Sequence, residues 1–221
     1  MAKNRNFQVS ATPATVLAHL LAVAVATLVL VWLLKLREGV AFSSGNKQKI
    51  FNLHPLLMVI GFILIAGEAI MVHKSIPAKR EALKTIHLIL HLIALLLGIL
   101  GITAVFKFHN ERHIPNVYTL HSWLGISTIS LFGLQWVFAF FSFVFPQTNS
   151  TARSSYHPWH VFVGSAVFFL AICTAEAGLV ERFIFLGLQK GQEALVVNFT
   201  GLLIFLFAVC VGLSVVLPRG F

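Results

Sequence analysis

The sequence predicts an all-α integral membrane protein with six transmembrane helices. Of its 221 residues, 58% are hydrophobic and only 10% are charged, a composition that excludes a soluble globular domain. Segments of about 20 apolar residues are long enough to cross a hydrocarbon layer of about 30 Å. They lie at 14–34, 55–72, 87–106, 121–145, 159–180 and 195–217. We therefore expect one domain, residues 1–221, whose core of four helices spans 51–180, with the first and last helices at its periphery.

The basic charge of the chain fits a membrane location. The net charge of +9 does not imply nucleic acid, because Lys and Arg crowd the helix ends, where they meet lipid headgroups or anionic solutes. Counted loop by loop, the two membrane faces collect eight Lys or Arg each, so charge alone does not fix the orientation. The cysteines Cys173 and Cys210 lie inside apolar segments, and we assign them no function.

Polar residues inside the first three segments have modest structural interpretations. His19 in the first segment has no partner motif, and we expect a packing role for it. Glu68 in the second segment either hydrogen-bonds a neighbouring helix, which we favour, or belongs to a proton path. The third segment offers His87 and His91 on one helix face, and the residues alone do not decide which of the two is functional. Between the last segments, we expect a loop over 146–156 and a polar connection over 181–194.

Four histidines stand at or beside the starts of apolar segments, where an ionisable residue is costly and therefore a candidate for function. They are His54, His87, His121 and His160. A capping role at the membrane surface is the alternative. Consecutive membrane helices run antiparallel, so the second and fourth begin on one face and the third and fifth on the other. We expect His54 to pair with His121 and His87 to pair with His160.

Two imidazoles without Cys, Asp or Glu leave the four-ligand shell of zinc incomplete. A porphyrin supplies four equatorial nitrogens and needs only axial ligands from the protein. Gly125 and Gly164 each follow a histidine by four residues and Gly61 follows His54 by two turns, so we expect them to make room for a flat macrocycle. Two such sites, with irons roughly 20 Å apart along the membrane normal, predict electron transfer rather than oxygenation, because both axial positions are filled.

Several motifs together resemble the cytochrome b561 family of six-helix, ascorbate-dependent transmembrane oxidoreductases. They are Phe51-Asn52-Leu53-His54-Pro55, Gly67-Glu68-Ala69, Lys84 through His87, Lys107-Phe108-His109-Asn110, Tyr118 through Gly125, and Pro158-Trp159-His160-Val161-Phe162. The resemblance implies two non-covalent haem b groups with His54, His87, His121 and His160 as axial ligands. It thereby favours His87 over His91.

The resemblance also implies a direction of electron flow. Both termini would be cytosolic, the donor would be cytosolic ascorbate, and the acceptor on the opposite side would be monodehydroascorbate or a ferric chelate. A homodimer in a vacuolar, other endomembrane or plasma membrane would fit relatives of this kind. In this orientation the N-glycosylation sequence Asn149-Ser150-Thr151 lies on the cytosolic face, and we expect it to carry no glycan.

Basic and polar residues beside the histidines are candidates for binding the substrates. The membrane face that carries both termini is called the terminal face. Fixed positive charge there suits an enediolate anion, and the candidates are Lys79, Arg80, Lys84 and Arg153. On the opposite face the candidates are Lys107, Phe108, His109, Asn110, Tyr118 and Trp123. Anchoring to lipid headgroups is the alternative role for the basic residues.

Two other functions fit parts of the pattern. A di-haem membrane anchor would pass electrons between a partner enzyme and quinone, but it would need a docking surface and a quinone pocket. A histidine-lined transporter of divalent metal would also place imidazoles in the membrane. A visible spectrum excludes the transporter, and reduction by ascorbate without a partner separates the remaining two.

Overall fold

The computed structural model describes residues 9–144 and 149–219. Within these ranges the chain is helical, without strands, and six helices are long and apolar enough to cross a membrane, which confirms the fold class. We label them α1 to α6 in chain order. Their bounds are Thr12–Leu36, Lys47–Ser75, Arg80–Glu111, Leu120–Val144, Ser150–Phe185 and Gln192–Val216.

Every helix begins before its predicted apolar segment, and α5 extends furthest beyond its segment. Its 36 residues measure about 54 Å, more than the hydrocarbon layer. The loop predicted over 146–156 is therefore wrong from Ser150 onward, because Asn149 caps the helix by accepting a 3.0 Å hydrogen bond from the backbone N–H of Thr151. The connection predicted at 181–194 is also shorter, since α5 ends at Phe185 and α6 begins at Gln192. Residues 145–148 lie outside the described residues.

The four middle helices form a bundle, and α1 and α6 pack against each other at its side. The helix α6 also contacts α2 and α5, so it joins the outer pair to the bundle. At one such contact a side chain on Gly67 of α2 would overlap Phe207 of α6. The apolar core runs between the helices and includes the edge-to-face pair Phe62 and Phe132, with ring centroids 4.8 Å apart.

The polar residues of α1 and α2 bind each other. The imidazole Nδ1 of His19 lies 2.8 Å from the Glu68 carboxylate, and its Nε2 lies 3.2 Å from the Ser75 hydroxyl. The hydrogen bond expected between Glu68 and a neighbouring helix is confirmed. We expected only a packing role for His19. The structure adds a contact with Glu68, which lies 49 residues away on another helix and cannot be inferred from the local sequence.

The start of α2 is held by a buried amide. Asn52 is 1% exposed, and its Nδ2 donates to the carbonyl oxygens of Arg37 at 2.8 Å and Gly39 at 2.7 Å. The turn after α1 is thereby tied to the residue two positions before His54. Trp32 adds a second tie, because its indole N–H donates to Glu193 of α6 at 2.8 Å. This end of the bundle is therefore fixed by side chains rather than by backbone alone.

We predict that Asn52→Ala destabilises the protein. The substitution removes the donor of both carbonyl oxygens, which costs about 1–3 kcal/mol and lowers the apparent melting temperature by roughly 2–12 °C. Thermal unfolding of the purified protein in detergent measures the change. Gln189→Ala is the control, because this amide is exposed in the α5–α6 connection. Equal melting temperatures for the two variants would contradict the assigned role.

Candidate functional site

The bundle brings the four predicted histidines together in two pairs. The ring centroids of His54 and His121 are 6.0 Å apart, with the rings inclined at 86°. Those of His87 and His160 are 6.1 Å apart, at 67°. The pairing expected from helix direction is the pairing that the structure has.

Three of the four rings have a defined tautomer. The Nδ1 atoms of His54, His87 and His121 lie 3.1, 2.8 and 2.9 Å from the carbonyl oxygens of Gly101, Ala69 and Thr174, respectively. A carbonyl oxygen only accepts, so each Nδ1 carries the proton and donates it. In a neutral imidazole the other nitrogen, Nε2, then holds a lone pair. Metal-binding histidines in proteins are usually held in this way.

His160 has a side-chain partner instead. The amide nitrogen of Gln135 lies 2.9 Å from Nδ1 of His160 and 2.9 Å from the backbone carbonyl oxygen of His160. An amide nitrogen only donates, so Nδ1 of His160 accepts here, whereas Nδ1 donates at the other three histidines. Gln135 on α4 therefore holds the ring that backbone carbonyls hold at the other three positions, and the sequence analysis did not identify it.

These hydrogen bonds link the helices reciprocally. His54 of α2 bonds to α3 and His87 of α3 bonds to α2, while His121 of α4 bonds to α5 and His160 of α5 bonds back to α4. On α3, His87 and the carbonyl partner Gly101 are separated by fourteen residues, or about 21 Å along the helix axis. The two histidine pairs thus lie near opposite ends of the bundle.

The gap between paired rings fits one metal atom. Metal–imidazole bonds of about 2.0–2.1 Å on both sides place the ring centroids roughly 6–6.5 Å apart. A mainly apolar cavity surrounds His54 and His121, with walls that include Met58, Val105 and Gly125. In the described part of the chain, no three His, Cys, Asp or Glu side chains gather into a metal-binding group. Two axial imidazoles beside an apolar slot are the donor set that a haem requires.

The structure distinguishes His87 from His91. His87 has the carbonyl partner and faces His160. The His91 ring lies 4.4 Å from the ring of His87 and 5.4 Å from that of Phe132, one turn deeper in the bundle. Geometry therefore agrees with the preference for His87 as the ligand.

The three predicted glycines have different surroundings. A Cβ on Gly61 would lie 2.9 Å from the Cβ of Leu97, so Gly61 allows close packing of α2 on α3 and its predicted role beside a macrocycle is wrong. Gly125 does line the cavity. Gly164 faces the amide of Gln135. Gly178, which the sequence analysis overlooked, lies against the ring of His121, where a Cβ would be 2.6 Å from Cε1.

On the terminal face, the predicted basic residues lie around the His87 end of the bundle. Lys79 and Arg80 are exposed at the start of α3, and Arg153 is half-buried at the start of α5. The ammonium of Lys84 is 3.2 Å from the highly exposed Glu81 carboxylate. One histidine was missed here: the ring of His73 lies 5.5 Å from that of His87.

On the opposite face, the predicted residues divide into two groups. In the first group, His109 and Tyr118 line the cavity beside His121. Nδ1 of His109 lies 3.1 Å from the amide oxygen of Asn116. The amide nitrogen of Asn116 donates to the side-chain oxygen of Asn110 at 3.0 Å.

The second group has mainly structural contacts. Lys107 donates to the Phe42 carbonyl at 2.7 Å and lies 3.9 Å from Glu111, so it braces the α1–α2 connection rather than crowding His121. Phe108 packs on Phe51 with ring centroids 5.1 Å apart, and Trp123 is 63% exposed.

Comparison with known proteins identifies the family to which this fold and site belong. The sequence profile of eukaryotic cytochrome b561 matches residues 53–186. A probable ascorbate-specific transmembrane electron transporter of Oryza sativa subsp. japonica is 52% identical over 95% of this chain and 92% of its own length. A transmembrane ascorbate ferrireductase of Arabidopsis thaliana is 50% identical over 94% and 88%, and a transmembrane ascorbate-dependent reductase of Ovis aries is 38% identical over 88% and 78%.

Fold, site and relatives define a multi-pass membrane oxidoreductase of the haem-binding kind. The chain belongs to the eukaryotic cytochrome b561 family.

We predict that His54→Ala or His121→Ala halves the haem-to-protein ratio and leaves the remaining haem spectrally intact, because the two pairs share no ligand. Haem is measured as the pyridine haemochrome against protein concentration. His91→Ala is the matched control for position 87 and should retain both haems. A wild-type spectrum for His87→Ala together with haem loss in His91→Ala would reverse the assignment on α3.

Proposed function

We propose that this protein carries electrons across its membrane from ascorbate on the terminal face to monodehydroascorbate or a ferric chelate on the opposite face. Two haem b groups would be held non-covalently, one between His54 and His121 and one between His87 and His160. The observation that carries the proposal is the two pairs of facing imidazoles, with ring centroids 6.0 and 6.1 Å apart, near opposite ends of one bundle. The printed names of the relatives, which include electron transporters and ferrireductases specific for ascorbate, support the choice of donor.

The protein's contribution begins with orientation. When bound, a haem with two axial imidazoles accepts and releases one electron at a time without binding a further ligand. The backbone carbonyls of Gly101, Ala69 and Thr174 fix three of the rings, and Gln135 fixes the fourth. Mainly apolar walls surround the space between His54 and His121. Such a site favours electron transfer because little reorganisation accompanies a change of charge.

Ascorbate is an anion at neutral pH, so its site requires fixed positive charge near His87 or His160. Lys84 is one turn before His87, and Arg153 is two turns before His160. The contact of Lys84 with exposed Glu81 is weak in water, so its ammonium is available to a ligand. Lys79 and Arg80, which are exposed, extend the same positive surface and would assist the approach of the anion.

The acceptor would approach the opposite face beside His109. The Asn116 amide oxygen accepts from Nδ1 of His109, which leaves Nε2 as an acceptor or ligand atom. Asn110 and Tyr118 stand beside it, and both are exposed. An imidazole and neutral oxygen donors suit a ferric chelate, and they also suit hydrogen bonding to monodehydroascorbate.

For the arrangement in the cell, we propose cytosolic termini and a homodimer formed through the outer helices α1 and α6. Their lipid-facing surfaces carry large apolar side chains such as Leu20, Val23, Phe199 and Phe205. A vacuolar, other endomembrane or plasma membrane would suit this arrangement.

We predict that the Lys84→Ala, Arg153→Ala double variant slows reduction by ascorbate ten- to a hundredfold or more. Each charge-assisted contact is worth about 1.5–3 kcal/mol, which corresponds to that range. Dithionite needs no such site and should still reduce both haems at the normal rate. The measurement is stopped-flow reduction in detergent at fixed ionic strength, with Lys190→Ala on the opposite face as the control. An ascorbate rate equal to that of wild type would show that these residues only anchor headgroups.

The orientation has its own test. Absence of glycan at Asn149 is not decisive, because its side chain is occupied as a helix cap. We predict instead that a cysteine at position 79 reacts with a membrane-impermeant maleimide only from the cytosolic side, whereas a cysteine at position 112 reacts only from the other side. The variants are Lys79→Cys and Arg112→Cys, in a background where Cys173 and Cys210 are replaced by Ser. The opposite labelling pattern would exchange the donor and acceptor faces.

A further inference from the structure

The end of α5 carries an arginine that none of the contacts described so far explains. Arg182 lines the cavity that holds His54 and His121. Its Nη2 atom is shielded from solvent and has no hydrogen-bond partner. A guanidinium remains charged at any physiological pH, and a shielded donor of this kind without an acceptor is destabilising. The hydrogen-bond acceptor for Nη2 must therefore come from a group that binds to the protein.

Neighbouring side chains do not supply that acceptor. The guanidinium carbon lies 4.4 Å above the centre of the Phe51 ring, a cation–π contact that leaves the N–H groups at the edge free to donate. The Oε1 atom of Glu193 is bound by Arg37 and by the indole of Trp32, and no hydrogen bond joins this carboxylate to Nη2 of Arg182. Glu181 also reaches the cavity wall, but residues adjacent in a helix do not face each other.

The position of Arg182 on α5 relates it to the histidine pair. Thr174, Gly178 and Arg182 recur every four residues and so share one helix face. The Thr174 carbonyl accepts from His121, and Gly178 lies against the His121 ring. Arg182 is one further turn along, about 6 Å closer to the membrane surface. A planar group bound to His121 would therefore have one edge near this guanidinium.

We infer that Arg182 binds a carboxylate of the haem held between His54 and His121. The inference rests on the proposed function, because it requires a haem at this pair. Haem b carries two propionate carboxylates on one edge of its ring, and in a membrane protein that edge is most stable toward water. The planar fork of arginine matches a carboxylate with two parallel hydrogen bonds.

Three variants test the inference: Arg182→Gln removes the charge, Arg182→Lys keeps the charge without the fork, and Arg112→Gln is an exposed control on the same face. The first measurement is the rate at which haem leaves the purified holoprotein for excess apomyoglobin. Arg182→Gln should release the haem of this pair roughly ten- to a hundredfold faster, as expected for one charge-assisted contact. Arg182→Lys should fall between wild type and Arg182→Gln, and Arg112→Gln should match wild type.

The second measurement reports the contact itself. The propionate bending mode in the resonance Raman spectrum should shift in both Arg182 variants, because both lose the bidentate hydrogen bond. Reduction adds negative charge to the haem, so loss of the cation should disfavour the reduced state. We expect about a tenfold change in its equilibrium constant in Arg182→Gln, which lowers the midpoint potential by about 59 mV. A Raman shift in Arg182→Lys alone would support the inference if Arg182→Gln failed to fold.

Two sets of results would overturn the inference. Unchanged haem release and an unchanged propionate mode in Arg182→Gln, together with slower oxidation by ferric citrate or monodehydroascorbate, would assign Arg182 to the soluble acceptor. Unchanged values in every assay would mean that Arg182 serves packing against Phe51. A wild-type protein that holds no haem at the His54 and His121 pair would contradict the proposed function instead, and the haem-to-protein ratio reveals this before any variant is made.

Discussion

The hydrogen bond between Nδ1 of each paired histidine and the neighbouring helix is the interaction on which the site depends. It holds α2 against α3 and α4 against α5. At His54, His87 and His121 it also fixes which nitrogen of the ring is left with a lone pair. The pairs of facing rings, in contrast, join α2 to α4 and α3 to α5. Helix packing and ligand orientation are therefore set by one group of contacts, so a shift of one helix would disturb both histidine pairs.

This arrangement separates the charge-carrying residues from the apolar interior. Lys84 and Arg153 on one face and His109 and Arg182 on the other lie toward the ends of the bundle, while the core between them includes aromatic pairs such as Phe62 and Phe132. Burying an unpaired charge deep in hydrocarbon is costly, whereas an electron moving between two fixed sites leaves no charged side chain to be buried. A fold with charged rims, two paired-imidazole sites and an apolar centre is suited to moving electrons rather than ions.

The sequence was sufficient for the parts of the structure that follow from length, polarity and helix direction. The pairing of His54 with His121 depends only on antiparallel neighbours, and it could be predicted. The ring partners could not, because Gly101, Ala69 and Thr174 contribute backbone carbonyls that any residue would offer.

Gly61 was misjudged because a small residue serves helix packing as readily as cofactor binding, and Leu97, which occupies its space, is distant in sequence. Ser150 to Tyr156 resembled a loop because polar residues of a helix beyond the bilayer have no apolar period, and the Asn149 cap was read only as a glycosylation sequence. Gln135 and Arg182 had a visible signal, a polar side chain inside one apolar run and a charged one just past the end of another, but their relation to the histidines appears only when the helices are assembled.

The central claim is that two imidazoles occupy both axial positions of each haem. Carbon monoxide tests it most directly, because it binds reduced haem iron wherever an axial position is open. The account predicts that carbon monoxide leaves the visible spectrum of the dithionite-reduced protein unchanged, and that the oxidised protein gives only low-spin ferric signals in electron paramagnetic resonance. A carbon monoxide difference spectrum equivalent to one haem per protein, or a high-spin ferric signal of that size, would show that one pair does not close on iron and would contradict the account.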